Sequence, residues 1–217
     1  MSRYFLLQGL PGSGKGTQAE ALRRHLGIGN ISCGDLFRRH VRDGTTFGVK
    51  AREYIAKGEL TPDAETCNMV IEHLSGLQIQ FIILEGFPRT LQQAARFGEF
   101  IYATQAIISR VILLSVDRSE LALRLSSRYI CTSCGKIYNT ISAPPTRPGV
   151  CNVEGASLYQ RTDDKAELVL HRLDYYSNAE APVMSYYQER GLLSTVDANG
   201  PEDIVTQRLI KEMEIWI

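Results

Sequence analysis

Short apolar runs alternate along the chain with longer stretches in which apolar residues recur every three or four positions. The runs lack interleaved polar residues, which is typical of strands buried on both faces of a parallel sheet. They predict five strands, at residues 4–8, 31–33, 81–85, 110–116 and 193–196. The stretches between them predict eight helices, at residues 15–26, 35–43, 47–57, 62–74, 91–100, 119–128, 165–189 and 202–216.

Strands that alternate with helices predict an α/β fold, a doubly wound five-stranded parallel sheet flanked by helices. Two segments interrupt the alternation. Residues 32–61, the first insertion, contain two short helices where one crossover would suffice. Residues 127–164, the second insertion, are rich in Pro, Gly and Cys and predict a small β-type unit. The core domain is then expected to comprise residues 1–31, 62–126 and 165–217.

Overall charge and composition exclude some function classes. Lys and Arg total 24, as do Asp and Glu, so nothing indicates a non-specific nucleic-acid binder. No run reaches the roughly 18–20 apolar residues of a membrane span. No secretory leader is recognised, so we expect a cytoplasmic protein, in which five cysteines argue against a disulfide framework.

The stretch "GLPGSGKGT" lies between the first strand and the first helix. Gly9-x4-Gly14-Lys15 in that context is the phosphate-loop pattern, in which glycines let backbone N–H groups face an anion. The helix N-terminus and Lys15 add positive charge. The pattern therefore predicts a P-loop NTPase-like nucleotide site rather than a simple glycine-rich turn. Gly16 stands where many such loops have a hydroxyl, so Mg²⁺ is expected to be held by phosphates, water and a carboxylate.

Four motifs occur in a fixed order, "GLPGSGKGTQAE", "ISCGDLFR", "LEGFPRTLQQA" and "YQRTDD". With them the whole chain resembles the adenylate kinase family, of the long-lid bacterial type. The resemblance implies the Mg²⁺-dependent reaction ATP + AMP ⇌ 2 ADP. It also implies a monomer in which the phosphate loop holds ATP, the first insertion holds AMP and the second insertion closes as a lid.

Phosphoryl transfer depends on charge neutralisation and positioning, and arginines stay charged and grip phosphate oxygens in pairs. The resemblance implies seven catalytic cations, which are Lys15 on the ATP phosphates, Arg38 and Arg89 on the AMP phosphate, Arg124 and Arg128 on ATP, and Arg161 and Arg172 on the transferring group. The interpretation as solvated helix-surface arginines is the alternative. Asp163 and Asp164 are expected to orient the arginines of the lid or to cap the long helix that follows.

The resemblance also implies residues for each substrate. For ATP they are Gly12, Ser13, Gly14, Lys15, Gly16, Thr17, Arg124, Arg128, Ile137, Tyr138 and Gly200. For AMP they are Cys33, Arg38, Glu59, Leu60, Thr61, Gly86, Phe87, Pro88, Arg89, Gln93, Arg161 and Arg172. Gln93 is expected to read adenine, because a carboxamide donates and accepts at once; a helix-surface amide is the alternative.

Two residues depart from the family pattern. Cys33 stands where the family has threonine, and because a thiol is a poor hydrogen-bond partner it predicts weaker AMP binding or relaxed base choice. Glu85 stands where the family has aspartate, at the end of the third strand. Its carboxylate is expected to orient water bound to Mg²⁺.

The second insertion carries Cys131-x2-Cys134 and, after sixteen intervening residues, Cys151-x2-Glu154. This spacing predicts a structural Zn²⁺ site with Glu154 as fourth ligand, the alternative being a metal-free insertion. Three other functions stay open. They are a related kinase with another nucleotide donor or acceptor, a catalytically impaired nucleotide-binding homologue, and a zinc-ribbon nucleic-acid adaptor, which the zero net charge disfavours.

Overall fold

The computed structural model describes residues 1–214 and 216. Its strands are β1 (Arg3–Gln8), β2 (Gly29–Ser32), β3 (Phe81–Glu85), β4 (Ile107–Ser115), β5 (Arg128–Cys131), β6 (Ile137–Asn139), β7 (Leu158–Tyr159) and β8 (Leu193–Asp197). Its helices are α1 (Lys15–Leu26), α2 (Cys33–Arg42), α3 (Thr46–Lys57), α4 (Asp63–Ser75), α5 (Leu91–Ala103), α6 (Arg118–Ser126), α7 (Ala166–Gln188) and α8 (Glu202–Glu214). A short 3-10 helix, Thr162–Asp164, precedes α7.

Five strands form one parallel sheet in the order β2-β3-β1-β4-β8, which confirms the predicted five-stranded α/β fold. Along β1, Tyr4 and Leu6 belong to the apolar core on one face of the sheet, whereas Phe5 and Leu7 belong to the core on the other. Because successive side chains of a strand point to opposite faces, a strand covered on both sides must be apolar at every position. This explains the unbroken apolar runs.

Most element boundaries differ from prediction by one to three residues, and three of the differences are instructive. The second strand ends at Ser32 rather than residue 33, because the Ser32 hydroxyl caps α2 by accepting from the Asp35 backbone N–H. The helix predicted at 119–128 ends at Ser126, since Arg128 already begins β5. The last helix ends at Glu214, and the predicted extension to 216 includes residue 215, which lies outside the described residues.

Residues of the second insertion form a separate antiparallel sheet in the order β6-β5-β7, in agreement with the predicted β-type unit. The first insertion contributes α2 and α3, which pack on each other. The first insertion follows the carboxyl end of β2, the edge at which ligands of open α/β sheets bind, whereas the second insertion follows α6. In the described residues, no helix combines the length and the apolar character that crossing a bilayer requires.

Candidate active site

The phosphate loop follows β1 and begins at Gly9, whose φ is 134°. A Cβ atom there would lie 2.8 Å from the Leu114 carbonyl oxygen and 2.8 Å from Ser13 Oγ. Only glycine combines that backbone conformation with such a close approach. The turn therefore contains glycine because neighbouring atoms already occupy the position of a side chain.

Lys15 lies at the start of α1 with only 8 % of its surface exposed. Its Nζ donates to the carbonyl oxygens of Gly9 at 2.7 Å and Leu10 at 2.9 Å. Burial, and secondly the Arg89 charge, lower the pKa of Lys15 to about 7. An anion beside the ammonium would favour its charged form. The loop therefore holds the lysine in the position where phosphate charge would be neutralised.

A single cleft of about 800 Å³ lies over this loop. All seven cations line it, as do all the residues predicted for ATP. Most of those predicted for AMP line it too, namely Cys33, Arg38, Leu60, Thr61, Gly86, Arg89, Gln93, Arg161 and Arg172. Glu59, Phe87 and Pro88 do not. Phe87 is completely buried and packs edge-on against Phe97, so it is a core residue behind the cleft.

Most arginines of the cleft are oriented by carboxylates. Arg38 pairs with Asp35, and Arg124 Nε donates to Glu120 at 2.7 Å. These paired arginines are partly buried, so they are held in place rather than free in solvent.

Asp164 is completely buried and orients two further arginines. Both of its oxygens accept from Arg128, at 2.6 and 2.7 Å, and Oδ1 also accepts from Arg172 at 2.9 Å. Asp163 Oδ2 lies 2.8 Å from Arg172 Nη1. Neither aspartate caps α7, whose N-cap is Lys165. Of the two expected roles, the structure therefore has Asp163 and Asp164 orienting arginines.

Arg161 differs from the other arginines. Within the described part of the chain no carboxylate lies within 4.0 Å of it, and its Nε is buried without a hydrogen-bond partner. Burial, together with the charges of Arg38 and Arg128, lowers the pKa of Arg161 to about 10. Buried charges are normally paired, so an unpaired guanidinium among other cations indicates a place for an anion.

Gln93 is 1 % exposed and lines the cleft, so its interpretation as a helix-surface amide is wrong. Its Nε2 donates to Asp63 Oδ1 at 2.7 Å, and its Oε1 accepts from the Arg89 backbone N–H at 2.7 Å. The other Asp63 oxygen accepts from Thr90 Oγ1 at 2.8 Å. The amide nitrogen of Gln93 retains one N–H donor and its oxygen one lone pair, which could pair with a nucleobase. Sequence reasoning missed Asp63, which resembles any acidic residue in a first helical turn.

The two residues that depart from the family pattern both line the cleft. Burial raises the pKa of the Cys33 thiol to about 12, so Cys33 is a neutral weak donor. The Glu85 oxygens lie 3.7 Å from where a Cβ of Gly16 would be. Burial raises the pKa of Glu85 and the Lys15 charge opposes that rise. With glycine at position 16, the Glu85 carboxylate faces the loop directly, and carboxylate oxygens suit Mg²⁺.

In the second insertion, the sulfur atoms of Cys131, Cys134 and Cys151 all lie within 4.8 Å of one another. Backbone N–H groups point at two of the sulfurs, those of residues 133 and 134 at Cys131 and those of residues 153 and 154 at Cys151. The Tyr138 hydroxyl, by hydrogen bonding, lowers the pKa of Cys151 to about 6. Three cysteine sulfurs this close together fit Zn²⁺. The predicted fourth ligand, the Glu154 carboxylate, does not belong to the cluster.

Two residues of α7 reach the site without having been predicted. The Tyr176 ring lines the cleft, and the buried Glu180 carboxylate lies at the phosphate loop. No local pattern distinguishes them from other polar positions of a long helix.

Comparison with known proteins agrees with this geometry. The family model described as adenylate kinase matches residues 7–192. A protein named adenylate kinase from Acidothermus cellulolyticus is 41% identical over 97% of this chain and 98% of its own length. One of the same name from Bacillus subtilis is 42% identical over 92% of this chain and 91% of its own. The chain therefore belongs to the adenylate kinase family, and its activity is that of a nucleoside monophosphate kinase.

Proposed function

We propose that the cleft binds ATP and AMP tail to tail and transfers the terminal phosphoryl group of ATP to the AMP phosphate, giving two ADP. The observation that carries this assignment is the convergence of the seven cations on one cleft, where Arg161 Nε is buried and no carboxylate of the described residues pairs with the guanidinium. The triphosphate of ATP and the phosphate of AMP together carry several negative charges, and a cleft lined with fixed cations offsets their repulsion.

ATP is assigned to the phosphate loop and to the side of the cleft formed by Arg124, Arg128, Ile137, Tyr138 and Gly200. The loop N–H groups and Lys15 hold the β- and γ-phosphates, while Arg124 and Arg128 neutralise the outer oxygens. Two observations support this assignment. All these residues line the cleft, and carboxylates orient both arginines.

AMP is assigned to the side lined by Cys33, Arg38, Arg89 and Gln93. Arg38 and Arg89 hold its phosphate, and the free donor and acceptor of Gln93 pair with the amino group and N1 of adenine. Arg161 and Arg172 contact the group in transfer. The reaction needs no protein base, because the attacking oxygen is already a phosphate oxygen.

Two metal ions fit residues of the chain. Glu85 would hold Mg²⁺ through bound water, and that ion supplies charge neutralisation on the ATP phosphates. Cys131, Cys134 and Cys151 would hold a structural Zn²⁺, with Glu154 as the proposed fourth ligand after a movement of its side chain.

The two insertions are proposed as the moving parts. The first insertion would close over AMP, and the second would close as a lid over ATP, which excludes water that could otherwise hydrolyse the donor. We further propose that the enzyme is a cytoplasmic monomer. Sedimentation at several protein concentrations tests the monomer directly.

The residue assignment is tested with Arg161→Ala, assayed with ATP and Mg²⁺ against AMP, GMP, CMP and UMP. We expect the parent to use AMP in preference to the others and the variant to lose about 10²-fold or more in kcat, as for removal of one charge-stabilising donor. Arg24→Ala, an exposed helix position outside the cleft, is the control. Equal use of all four acceptors would contradict the Gln93 assignment, and a fully active Arg161 variant would contradict the cation assignment.

A further inference from the structure

Glu180 is a buried acid beside a cleft built from cations, and no step of the proposed reaction uses it. Its side chain is 9% exposed, and it does not line the cleft. It occupies α7 four residues after Tyr176 and eight after Arg172, and residues at that spacing share one face of a helix. The face of α7 nearest the site thus carries a cation, an aromatic ring and an anion in succession.

One carboxylate oxygen of Glu180 makes both of its contacts with the site. Oε1 accepts from the Gly9 backbone N–H at 2.9 Å and lies 3.6 Å from Arg89 Nη1. The Gly9 carbonyl oxygen in turn accepts from Arg89 Nη1 at 3.3 Å. Glu180, the first residue of the phosphate loop and the guanidinium of Arg89 therefore form a closed set of three groups.

The remaining surroundings of Arg89 are equally defined. Its Nε donates to the Gly86 carbonyl oxygen at 2.9 Å, and its Cζ lies 5.2 Å from the centroid of the Tyr176 ring. Arg172 lies 5.8 Å from the same ring. The guanidinium is thus held by two backbone carbonyls, those of Gly86 and Gly9, by an aromatic face and by one carboxylate, of which only the carboxylate carries a charge.

An anion next to an anion-binding site has two opposite physical effects. It repels the substrate phosphate through space, and it fixes the cation that binds that phosphate. Glu180 lies away from the cleft and contacts Arg89 directly, so the second effect should dominate. A buried carboxylate is costly unless paired, and here the pairing partners are groups of the substrate site itself.

We propose that Glu180 is a positioning residue that orients Arg89 for the AMP phosphate and fixes the start of the phosphate loop. The proposal rests on the proposed role of Arg89. The negative charge of Glu180 then supports AMP binding through Arg89. Its carboxylate oxygen, as the acceptor from the Gly9 N–H, fixes the loop.

The test compares Glu180→Gln with Glu180→Ala and Glu180→Asp by titrating AMP alone and by steady-state kinetics. The glutamine retains an acceptor for Gly9 but removes the charge, so the Kd of AMP should rise about 10- to 30-fold while KM for ATP stays within about twofold. The alanine also removes the acceptor, so KM for ATP should rise as well. Aspartate keeps a charge at a greater distance and should give an intermediate Kd. Glu189→Gln, an exposed acid at the end of α7, is the matched control.

Several outcomes would overturn the proposal. A lower Kd of AMP in Glu180→Gln would show that the carboxylate mainly repels the substrate, and an unchanged Kd would show that its charge does not contribute to AMP binding. A lower kcat with equal increases in both KM values, together with a lower Tm, would show that Glu180 contributes only to the stability of the fold. If Glu180→Gln does not fold, Glu180→Asp decides by the same AMP-selective criterion. Arg89→Lys separates the positioning role of Glu180 from the AMP-binding role of Arg89. An unchanged Kd of AMP in that variant would contradict the role of Arg89 itself.

Discussion

At the scale of single residues, the cleft contains cations of two kinds. Arg38, Arg124, Arg128 and Arg172 are each oriented by a carboxylate, whereas Arg161 has none within 4.0 Å among the residues that the structure describes, and its Nε is buried without a partner. An oriented arginine needs little reorganisation to meet a phosphate, and an unpaired one gains most from meeting it. Cys33 and Glu85, the two residues that depart from the family pattern, also line the cleft, and a prediction follows from each.

Cys33→Thr should strengthen AMP binding. The neutral thiol at this position is a weak hydrogen-bond partner, and a hydroxyl would contribute a normal hydrogen bond, which corresponds to a KM for AMP lower by about 2- to 10-fold. Steady-state kinetics with AMP varied at saturating ATP measures this, and KM for ATP serves as the internal control. If KM for AMP does not change, position 33 makes no hydrogen bond to the substrate.

Glu85→Gln should lower kcat by about 10²-fold with little change in KM for AMP, because the neutral amide can no longer help hold Mg²⁺ at the loop. Titration of activity against Mg²⁺ should show a higher requirement for the ion. Glu85→Asp keeps the charge and is the comparison, with a smaller expected loss. Near-normal turnover of the glutamine variant at limiting Mg²⁺ would remove Glu85 from the metal site.

At the scale of elements, α2 and α3 approach each other at Gly48. A Cβ atom on Gly48 would lie 2.0 Å from the His40 carbonyl oxygen and 2.7 Å from the Val41 nitrogen. These are backbone atoms, so they cannot move aside as a flexible side chain would. The close contact fixes how the first insertion folds, and α2 also carries Cys33 and Arg38 into the cleft.

Gly48→Ala should therefore destabilise the protein by about 1–3 kcal/mol, the range for inserting an atom into a packed interior. It should also raise KM for AMP more than KM for ATP, because α2 is displaced. Gly98→Ala is the matched control, since Gly98 lies within α5 with no atom within 4 Å of the added Cβ, and alanine favours a helix. Denaturant unfolding measures both variants. Equal stability of the two would contradict the tight α2–α3 contact.

At the scale of the whole molecule, the large sheet and the small one differ in how they can be stabilised. The five-stranded sheet has apolar clusters on both faces. The second insertion has a small apolar cluster of Cys131, Tyr138 and Cys151, with Ala156 and Leu158 packed against it. A core of that size does not fold on hydrophobic burial alone, so the proposed Zn²⁺ would supply the missing stability.

Removal of Zn²⁺ with a chelator should lower the Tm and increase hydrogen exchange within residues 127–164, leaving the core sheet protected. Metal analysis of protein purified without chelator should give close to one equivalent of zinc. Cys151→Ser should reproduce the chelated state, whereas Cys67→Ser, a thiol outside the cluster, should keep its zinc. Less than a tenth of an equivalent of zinc in the parent would overturn the site.

Much of the fold was predictable because its determinants are local. The strand runs, the phosphate loop and the cysteine spacing depend on residues close in sequence, and all appear in the structure close to where they were predicted. Position in the sequence did not distinguish Asp63, Tyr176 and Glu180 from solvated polar residues of amphipathic helices. Their partners lie far away in the chain, as for Glu180 and Gly9, which are 171 residues apart.

The sequence by itself determined the five buried strands, the glycines of the phosphate loop and, through the resemblance, nearly all the cations of the cleft. Only the tertiary structure decided which of those cations are paired, that Gln93 is buried against Asp63, and that Phe87 belongs to the core. The reason is physical. Backbone conformation and burial pattern follow from neighbours in the chain, whereas the pairing and orientation of charges depend on groups that meet only when the sheet and the two insertions have folded together.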